Sequence, residues 1–336
     1  MRTRGGRVNR LHGLMAVGAV IVAAAAVTLL NACGDSAHAP VSTASARSGD
    51  TAATGTPAAD SKTPQPTGGA EPDDDNSDTG PTIAPRAVPA DVSVEKNVAY
   101  GSDPAQVMDI YRPKDANGAP VILMVHGGSW RRGDKAAAGV VTNKMKYYTG
   151  KGYIFISTNY RLAPNATPPE QAGDVAHALA FAQQHAASWG GDASKFVLMG
   201  HSAGAYNAMM LTLDERYLAR AGLPADLVRS TVGLSGPYDF LPLDIPVTKA
   251  AFGNAPDPRQ TQPIRFVRED APPIFLGTGG DDRTVLPRNS ERLAAALRRA
   301  GAPSVELRIY PGLGHAGTAA SLARIMSWRA SVLDDV

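Results

Sequence analysis

The stretch KFVLMGHSAG, residues 195–204, decides the fold. Its apolar first half predicts a strand, and its second half is a G-x-S-x-G pattern centred on Ser202. When this pattern lies between a strand and a helix, a sharp turn exposes the serine hydroxyl, and the glycines avoid clashes with neighbouring strands. The alternative is a glycine-rich turn whose serine only caps the next helix. The apolar strand before the pattern and the helix predicted after it favour a nucleophilic Ser202.

Strands and helices alternate on both sides of this stretch. The predicted helices cover residues 170–188 and 290–300, and two more begin at residues 202 and 316. An irregular insertion, residues 237–271, follows the sixth strand. Such alternation predicts an α/β fold with a mainly parallel sheet and helices on both of its faces. The predicted strands cover residues 92–98, 107–111, 121–125, 153–158, 195–199, 230–234, 273–277 and 304–309.

A serine nucleophile needs a histidine to take its proton and a carboxylate to orient that histidine. His315 follows the last predicted strand, where the chain order Ser…Asp…His requires the base. We expect His201 to point away from Ser202 and His126 to brace its loop. The other histidines fall in the N-terminal leader or inside a predicted helix: His12, His38, His177 and His185.

The carboxylate is expected after the strand at residues 273–277. Two adjacent candidates lie there, Asp281 and Asp282, in the run GGDDRTV of residues 279–285. The candidate that is not used would cap the loop or form a salt bridge.

Donors for an oxyanion are predicted in HGGSW, residues 126–130, directly after a buried strand. Glycines let backbone N–H groups approach a substrate closely. We predict an oxyanion hole formed by the N–H groups of Gly127, Gly128 and Ala203. Trp130 either lines the substrate pocket or packs in the core.

HGGSW, NYRLAP (residues 159–164) and GHSAG together resemble the α/β-hydrolase esterases of the feruloyl-esterase-like and hormone-sensitive-lipase-like branch. The resemblance covers about residues 92–333. It implies an α/β-hydrolase fold with an eight-stranded sheet, Ser–Asp–His catalysis and no cofactor. It also favours Asp282 over Asp281, because Gly279, Asp282 and Val285 fit the G-x-x-D-x-x-V frame of these hydrolases.

The chain departs from the lipase-like members in one respect. Those members carry a large N-terminal helical cap, whereas here a low-complexity segment runs almost directly into the first strand. We therefore expect a more open pocket, which favours the feruloyl-esterase-like members.

Residues 1–32 are predicted to be a signal peptide. Four arginines precede a mostly apolar run over residues 14–30, and no acidic residue occurs before Cys33. The run ends at LNAC, residues 30–33, which resembles the bacterial lipoprotein signal, in which the cysteine is lipidated. The alternatives are an uncleaved membrane anchor and a plain secretory signal. All three place the globular part outside the cytoplasm, and the lipoprotein interpretation anchors it to the membrane through Cys33.

Residues 33–90 are predicted to hold the lipidated cysteine and a disordered linker. Of the 57 residues from 34 to 90, 40 are Ala, Ser, Thr, Pro or Gly, and all 20 aromatic residues lie at or after Tyr100. Such a segment buries too little apolar surface to offset the entropy of ordering it. One catalytic domain, residues 91–336, is expected behind this leader.

Charge and cysteine content exclude several classes of function. The net charge of +2 comes from the leader arginines, and the rest of the chain sums to −2. The sequence therefore has no clustered basic face of the kind that would indicate a nucleic-acid partner. Cys33 is the single cysteine, which excludes intrachain disulfides and multi-cysteine metal sites. We expect neither a metal nor a cofactor.

These residues predict a serine esterase that acts on a small-molecule ester through an acyl-enzyme. An open pocket buries few CH₂ groups, so we expect preferred acyl chains of about two to four carbons. A formamidase or peptidase with the same triad is one alternative. A non-catalytic binding protein on a hydrolase scaffold is another. The sequence does not predict the oligomeric state.

Overall fold

Residues 88–320 are described by a computed structural model of the chain. The predicted signal peptide, Cys33 and the linker as far as residue 87 lie outside the described residues, as do residues 321–336. The helix predicted to begin near residue 316 is therefore described only to residue 320.

Eight strands form one sheet: β1 (Val92–Ala99), β2 (Val107–Pro113), β3 (Ala119–Val125), β4 (Ile154–Thr158), β5 (Gly191–His201), β6 (Val228–Leu234), β7 (Ile274–Gly279) and β8 (Val305–Tyr310). Their order is β1-β2-β4-β3-β5-β6-β7-β8. Strand β2 is antiparallel to β1 and β4, and all other neighbours are parallel. This confirms the predicted sheet.

Seven helices surround the sheet in this part of the chain: α1 (Ala138–Thr149), α2 (Pro168–His185), α3 (Ala203–Leu213), α4 (Arg216–Arg220), α5 (Pro246–Phe252), α6 (Arg288–Ala300) and α7 (His315–Ala320). Three 3₁₀ turns cover Ala186–Trp189, Pro258–Thr261 and Pro263–Phe266. Helix α5 and the last two turns lie in the predicted insertion between β6 and β7.

Alternate residues of β3 belong to two separate cores. Val121, Leu123 and Val125 pack in the core that contains residues of α2 and α3. Ile122 and Met124 pack in the core that contains residues of α1. Successive side chains of a strand point to opposite faces of the sheet. Helices therefore cover both faces, and the predicted α/β-hydrolase fold is confirmed.

The sequence pattern does not predict helix α1. The helix starts without a side-chain cap, and β-branched Val140, Val141 and Thr142 lie in its first turns. It forms because Val140, Val141, Met145 and Tyr148 are buried against the sheet. Tertiary packing here outweighs weak local helix propensity.

Candidate active site

Ser202 lies at the bend between β5 and α3. Its backbone has a φ of 53°, in the left-handed region that most residues avoid. The two glycines of the pattern are required by close backbone contacts. A Cβ on Gly200 would collide with the carbonyl of Gly204, and a Cβ on Gly204 would collide with the carbonyl of Val125. The strand and helix expected around this serine are both present.

The structure brings Ser202, His315 and Asp282 into one hydrogen-bonded line. His315 Nε2 lies 2.9 Å from Ser202 Oγ, and His315 Nδ1 lies 2.8 Å from Asp282 Oδ2. The exposed fractions of the three residues are 4%, 7% and 2% in that order. A neutral His315 with its proton on Nδ1 donates to Asp282 and accepts the serine hydroxyl proton at Nε2. This arrangement can remove the proton from a serine nucleophile.

Asp282 is held through both carboxylate oxygens. Oδ1 accepts hydrogen bonds from the backbone N–H groups of Thr284 (3.0 Å) and Val285 (2.8 Å), while Oδ2 faces His315. Burial by itself raises the pKa of the Asp282 carboxyl. The hydrogen bond from His315 and the charge of its protonated form, with the donors Val285 and Ser235, outweigh burial and keep that pKa below its usual value. Asp282 therefore stays ionised beside the imidazole.

Asp281, the other candidate acid, is not directed at the histidine. Its side chain is exposed, and its backbone N–H donates to Leu313 O at 3.0 Å. The structure thus brings only one of the two adjacent aspartates to His315.

Two buried hydroxyls extend this line, and sequence reasoning missed both. Ser235 Oγ and Thr318 Oγ1 are hydrogen-bonded at 2.9 Å, and Thr318 Oγ1 donates to His315 O at 2.7 Å. Ser235 also hydrogen-bonds Asp282. Its φ is 45°, so the chain adopts a strained conformation at the residue after β6. Its position at the carboxyl end of a central strand was the available signal.

His201 contributes to the same support. Its side chain is buried, and its Nε2 lies 3.2 Å from His315 O, with the two imidazole rings 4.8 Å apart. The residue expected only to point away from Ser202 thus contacts the backbone and ring of His315. Thr318 and His201 both bind the same carbonyl oxygen, which fixes the start of α7.

The loop after β3 is braced through His126. The imidazole stacks on Tyr160 at 4.6 Å, and the Tyr160 hydroxyl donates to His126 O at 2.9 Å. His126 Nδ1 lies 2.7 Å from Gly127 O. Tyr160 belongs to the NYRLAP motif, so this motif supports the loop that carries the HGGSW motif. The bracing role expected for His126 fits these contacts.

Three consecutive residues of this loop have positive φ angles: Gly128 (113°), Ser129 (54°) and Trp130 (61°). Ser129 and Ala203 line the cavity together with Ser202, whereas Gly127 and Gly128 are not part of its wall. Of the three predicted donors, Ala203 therefore lies at the cavity surface. Ser129, which sequence reasoning missed, faces the cavity from the loop.

Trp130 both lines the cavity and packs. Only 3% of it is exposed, and its ring makes edge contacts with Tyr206 at 5.4 Å and Phe252 at 4.8 Å. Gln171 Nε2 donates to Trp130 O at 2.8 Å and fixes the backbone. Trp130 therefore has both of the roles considered for it, as part of the cavity wall and as a packed core side chain.

The cavity beside Ser202 has a volume of about 260 Å³. One part of its wall comes from the first part of the insertion, and another part comes from the segment that joins β7 to α6 and from the first turns of α6. The reacting hydroxyl is thus reached from a space bounded by two loops of the fold.

Within residues 88–320, no group of three or more histidine, cysteine, aspartate or glutamate side chains is arranged to hold a metal ion. Over the same residues, no helix combines the length and the apolar character needed to cross a membrane.

A sheet of this order, with a serine on the bend after the central strand β5, defines an α/β-hydrolase. The chain belongs to the BD-FAE family, whose model matches residues 108–297. The fold is also that of a truncated carbohydrate esterase from gut microbiota, with a TM-score of 0.58 and 23% sequence identity. That alignment covers 70% of this chain and 95% of the esterase.

Two curated relatives come from Mycobacterium tuberculosis. Esterase LipC is 29% identical over 66% of this chain and 59% of its own length. Esterase LipQ is 30% identical over 68% of this chain and 58% of its own length. The chain therefore spans just under three-fifths of the length of these relatives.

Proposed function

We propose that this protein is a serine hydrolase that cleaves carboxylic esters through an acyl-enzyme. The observation that carries the proposal is the line Ser202–His315–Asp282, with distances of 2.9 and 2.8 Å, at the wall of an open cavity. The names of the relatives LipC and LipQ, both esterases, support the same reaction.

The first half of the reaction transfers the acyl group to the enzyme. His315 Nε2 takes the hydroxyl proton while Ser202 Oγ attacks the ester carbonyl carbon, which gives a tetrahedral intermediate and an imidazolium. The carbon–oxygen bond to the alcohol then breaks, and His315 returns the proton to the leaving alcohol. Asp282 accepts the Nδ1 hydrogen bond throughout and stabilises the imidazolium.

The second half releases the acid. His315 takes a proton from a water molecule, whose oxygen attacks the acyl-enzyme carbonyl. The second tetrahedral intermediate collapses, and the proton returns from His315 to Ser202 Oγ. Over both halves, one ester and one water molecule give one alcohol and one acid, and Ser202 and His315 return to their starting states without a cofactor.

The negative charge on each intermediate needs preorganised N–H donors. Ala203, the residue after the nucleophile, supplies one of them. The loop after β3 is proposed to supply the others: the motif predicts the N–H groups of Gly127 and Gly128, and Ser129 is the residue of this loop that lines the cavity beside Ser202.

Short acyl groups suit this cavity. The cavity of about 260 Å³ has to hold the alcohol part of the ester as well as the acyl group, and the aromatic rings of Trp130 and Phe240 are part of its wall. A CH₂ group contributes about 0.8 kcal/mol only where it is buried. The value of kcat/KM on nitrophenyl esters is therefore expected to peak at about two to four acyl carbons.

The discriminating experiment compares a nitrophenyl acetate with an aryl formamide. Hydrolysis of the ester with a kcat/KM at least about 10²-fold above that of the formamide supports the esterase. The reverse order assigns the same triad to a formamidase, and no hydrolysis of either substrate contradicts the proposed enzyme. Ser202→Ala protein is the control, because any rate it retains comes from contaminants.

We also propose that the protein is exported and anchored outside the cytoplasm through lipid on Cys33. The arginines and the apolar run over residues 14–30, with the single cysteine shortly after that run, support this proposal. Cys33→Ala is expected to yield a soluble and fully active enzyme. Mass spectrometry that finds an unmodified thiol at Cys33 in protein recovered from membranes would contradict it.

A further inference from the structure

The two walls of the cavity beside Ser202 differ in chemistry. The insertion contributes mainly apolar side chains, among them Phe240, Leu241 and Ile245. The other part of the wall, from the segment after β7 and helix α6, carries three arginines: Arg283, Arg288 and Arg292. Because the proposed substrate pocket is cationic on one side only, this difference bears on which esters it selects.

One of the three arginines already has a carboxylate partner. Arg292 Nη1 lies 3.0 Å from Asp239 Oδ2, so this ion pair joins helix α6 to the insertion. Arg283 and Arg288 are exposed, and neither forms an ion pair with any residue of the described range 88–320. Two guanidinium groups at the cavity are therefore available to a ligand.

The acidic groups around the cavity do not cancel this charge. Asp239 is paired with Arg292, and the carboxylate of Asp282 is occupied by His315. Asp244 is the other acidic side chain of the cavity wall, and it lies on the insertion. The cavity wall thus has two unpaired guanidinium groups and one unpaired carboxylate, which leaves it with an excess of positive charge.

Apolar side chains lie at the same cavity. Among the described residues, the large apolar side chains that are markedly exposed are Ile245 (44%), Leu286 (39%) and Ile309 (42%). Ile245 and Leu286 line the cavity, one from each wall. A ligand that contacts them and an arginine together is apolar along its stem and negatively charged at its end.

We propose that the preferred esters carry a carboxylate or phosphate group remote from the reacting carbonyl, bound by Arg283 and Arg288. The planar guanidinium group binds such oxyanions through two parallel hydrogen bonds. Arg283 directly follows Asp282, so its backbone belongs to the loop that holds the triad acid. This inference rests on the proposed esterase activity and names its substrate class.

The anion can belong to either part of the ester, and two matched substrate pairs separate the two cases. Mono-nitrophenyl adipate and nitrophenyl hexanoate have acyl chains of equal length, but only the first ends in a carboxylate. In the second pair, 4-acetoxybenzoate and 4-acetoxybenzamide differ in the charge of the alcohol part. Rates are corrected for uncatalysed hydrolysis.

Wild-type protein is expected to show a kcat/KM about three- to tenfold higher for the charged member of one pair, as for an exposed charge-assisted contact. In the Arg283→Gln/Arg288→Gln double variant, this ratio should fall to about one. Arg299→Gln, which changes an exposed arginine of α6 that is not part of the cavity wall, should keep the wild-type ratio. Added salt at about 0.5 M should lower the ratio for wild type and leave it unchanged for the double variant.

The outcomes separate this inference from the proposed function. Hydrolysis of the neutral esters without any preference for the charged ones overturns the inference and leaves the esterase intact. An equal loss of the ratio in Arg299→Gln also overturns it, because net charge and not the cavity would then be responsible. If wild type hydrolyses no ester of either pair, the proposed function itself fails.

Discussion

The reacting side chains and the rim of the cavity in front of them are held in different ways. Ser202, His315 and Asp282 are all at least nine-tenths buried and hydrogen-bonded to one another or to buried neighbours. At the rim, by which we mean the exposed part of the cavity wall, Arg283 and Arg288 have no ion-pair partner in residues 88–320. A change in the buried line therefore affects the chemical step, whereas a change at the rim affects the choice of substrate.

The largest effect on activity is expected when Ser202 or His315 of the buried triad is replaced. Ser202→Ala or His315→Ala should lower kcat by about 10⁴-fold or more, because members of a triad act as a unit. The folded structure should persist, which an unchanged circular dichroism spectrum and a similar Tm would show. Loss of activity only in proportion to loss of folded protein would contradict this account.

The two adjacent aspartates form a matched pair. Asp282→Asn should lower kcat by about 10³- to 10⁴-fold, because an amide cannot hold the required tautomer of His315. Asp281→Asn, at an exposed side chain one residue away, should stay within about twofold of wild type. A crippling effect of the second change would assign the acid to Asp281.

The same aspartate predicts a dependence of stability on pH. The pKa of Asp282 is lower in the folded protein, so its charge stabilises the fold above the usual carboxyl pKa of about 3.9. This stabilisation is lost as the pH falls through the lowered value. Between about pH 4.5 and pH 2, the free energy of unfolding should therefore decrease less for Asp282→Asn than for wild type. Parallel urea titrations of both proteins measure the difference.

A smaller effect is expected at the hydroxyl behind the triad. Ser235→Ala keeps the Cβ but removes the hydrogen bonds to Thr318 and Asp282, so kcat should fall about tenfold while KM changes less than twofold. Ser230→Ala is the control, since Ser230 is also buried and lies within β6, the strand that ends directly before Ser235. Equal losses in the two variants would mean that general packing, and not positioning, explains the result.

The smallest effect is expected at the apolar wall. Phe240 is half-buried and lines the cavity, and the centroid of its ring lies 6.3 Å from that of Trp130. Phe240→Ala should enlarge the cavity and move the optimum acyl chain length upward by about two carbons, with a change in kcat/KM of about three- to tenfold. An unchanged chain-length profile would show that the acyl group binds elsewhere.

The sequence predicts the central strands well because they are short apolar runs buried on both faces of the sheet, as residues 121–125 show. It also predicts the residues that the structure brings into one line, because the position of each after a strand follows from the order Ser…Asp…His. Helix α1 is not predictable locally, since its valines and threonine favour strands and its stability comes from burial.

The roles of Ser235, Thr318 and Ser129 are not predictable for a different reason, although its position after a central strand places Ser235 near the site. Serine and threonine are common, and what distinguishes Ser235 and Thr318 is that β6 and α7 bring them together behind Asp282 and His315. Ser129 faces the cavity because it and its neighbour Trp130 adopt positive φ angles, which neither residue type suggests. These features depend on the assembled fold and not on a local pattern.

The central claim is that Ser202 Oγ is the nucleophile, and a covalent adduct tests it most directly. A fluorophosphonate reacts with an activated serine to form a phosphorus ester, with loss of fluoride. Mass spectrometry of the digested wild-type protein should find one adduct, on the peptide that contains Ser202, and none in Ser202→Ala. Unmodified wild-type protein, or an adduct on a different residue, would contradict the claim.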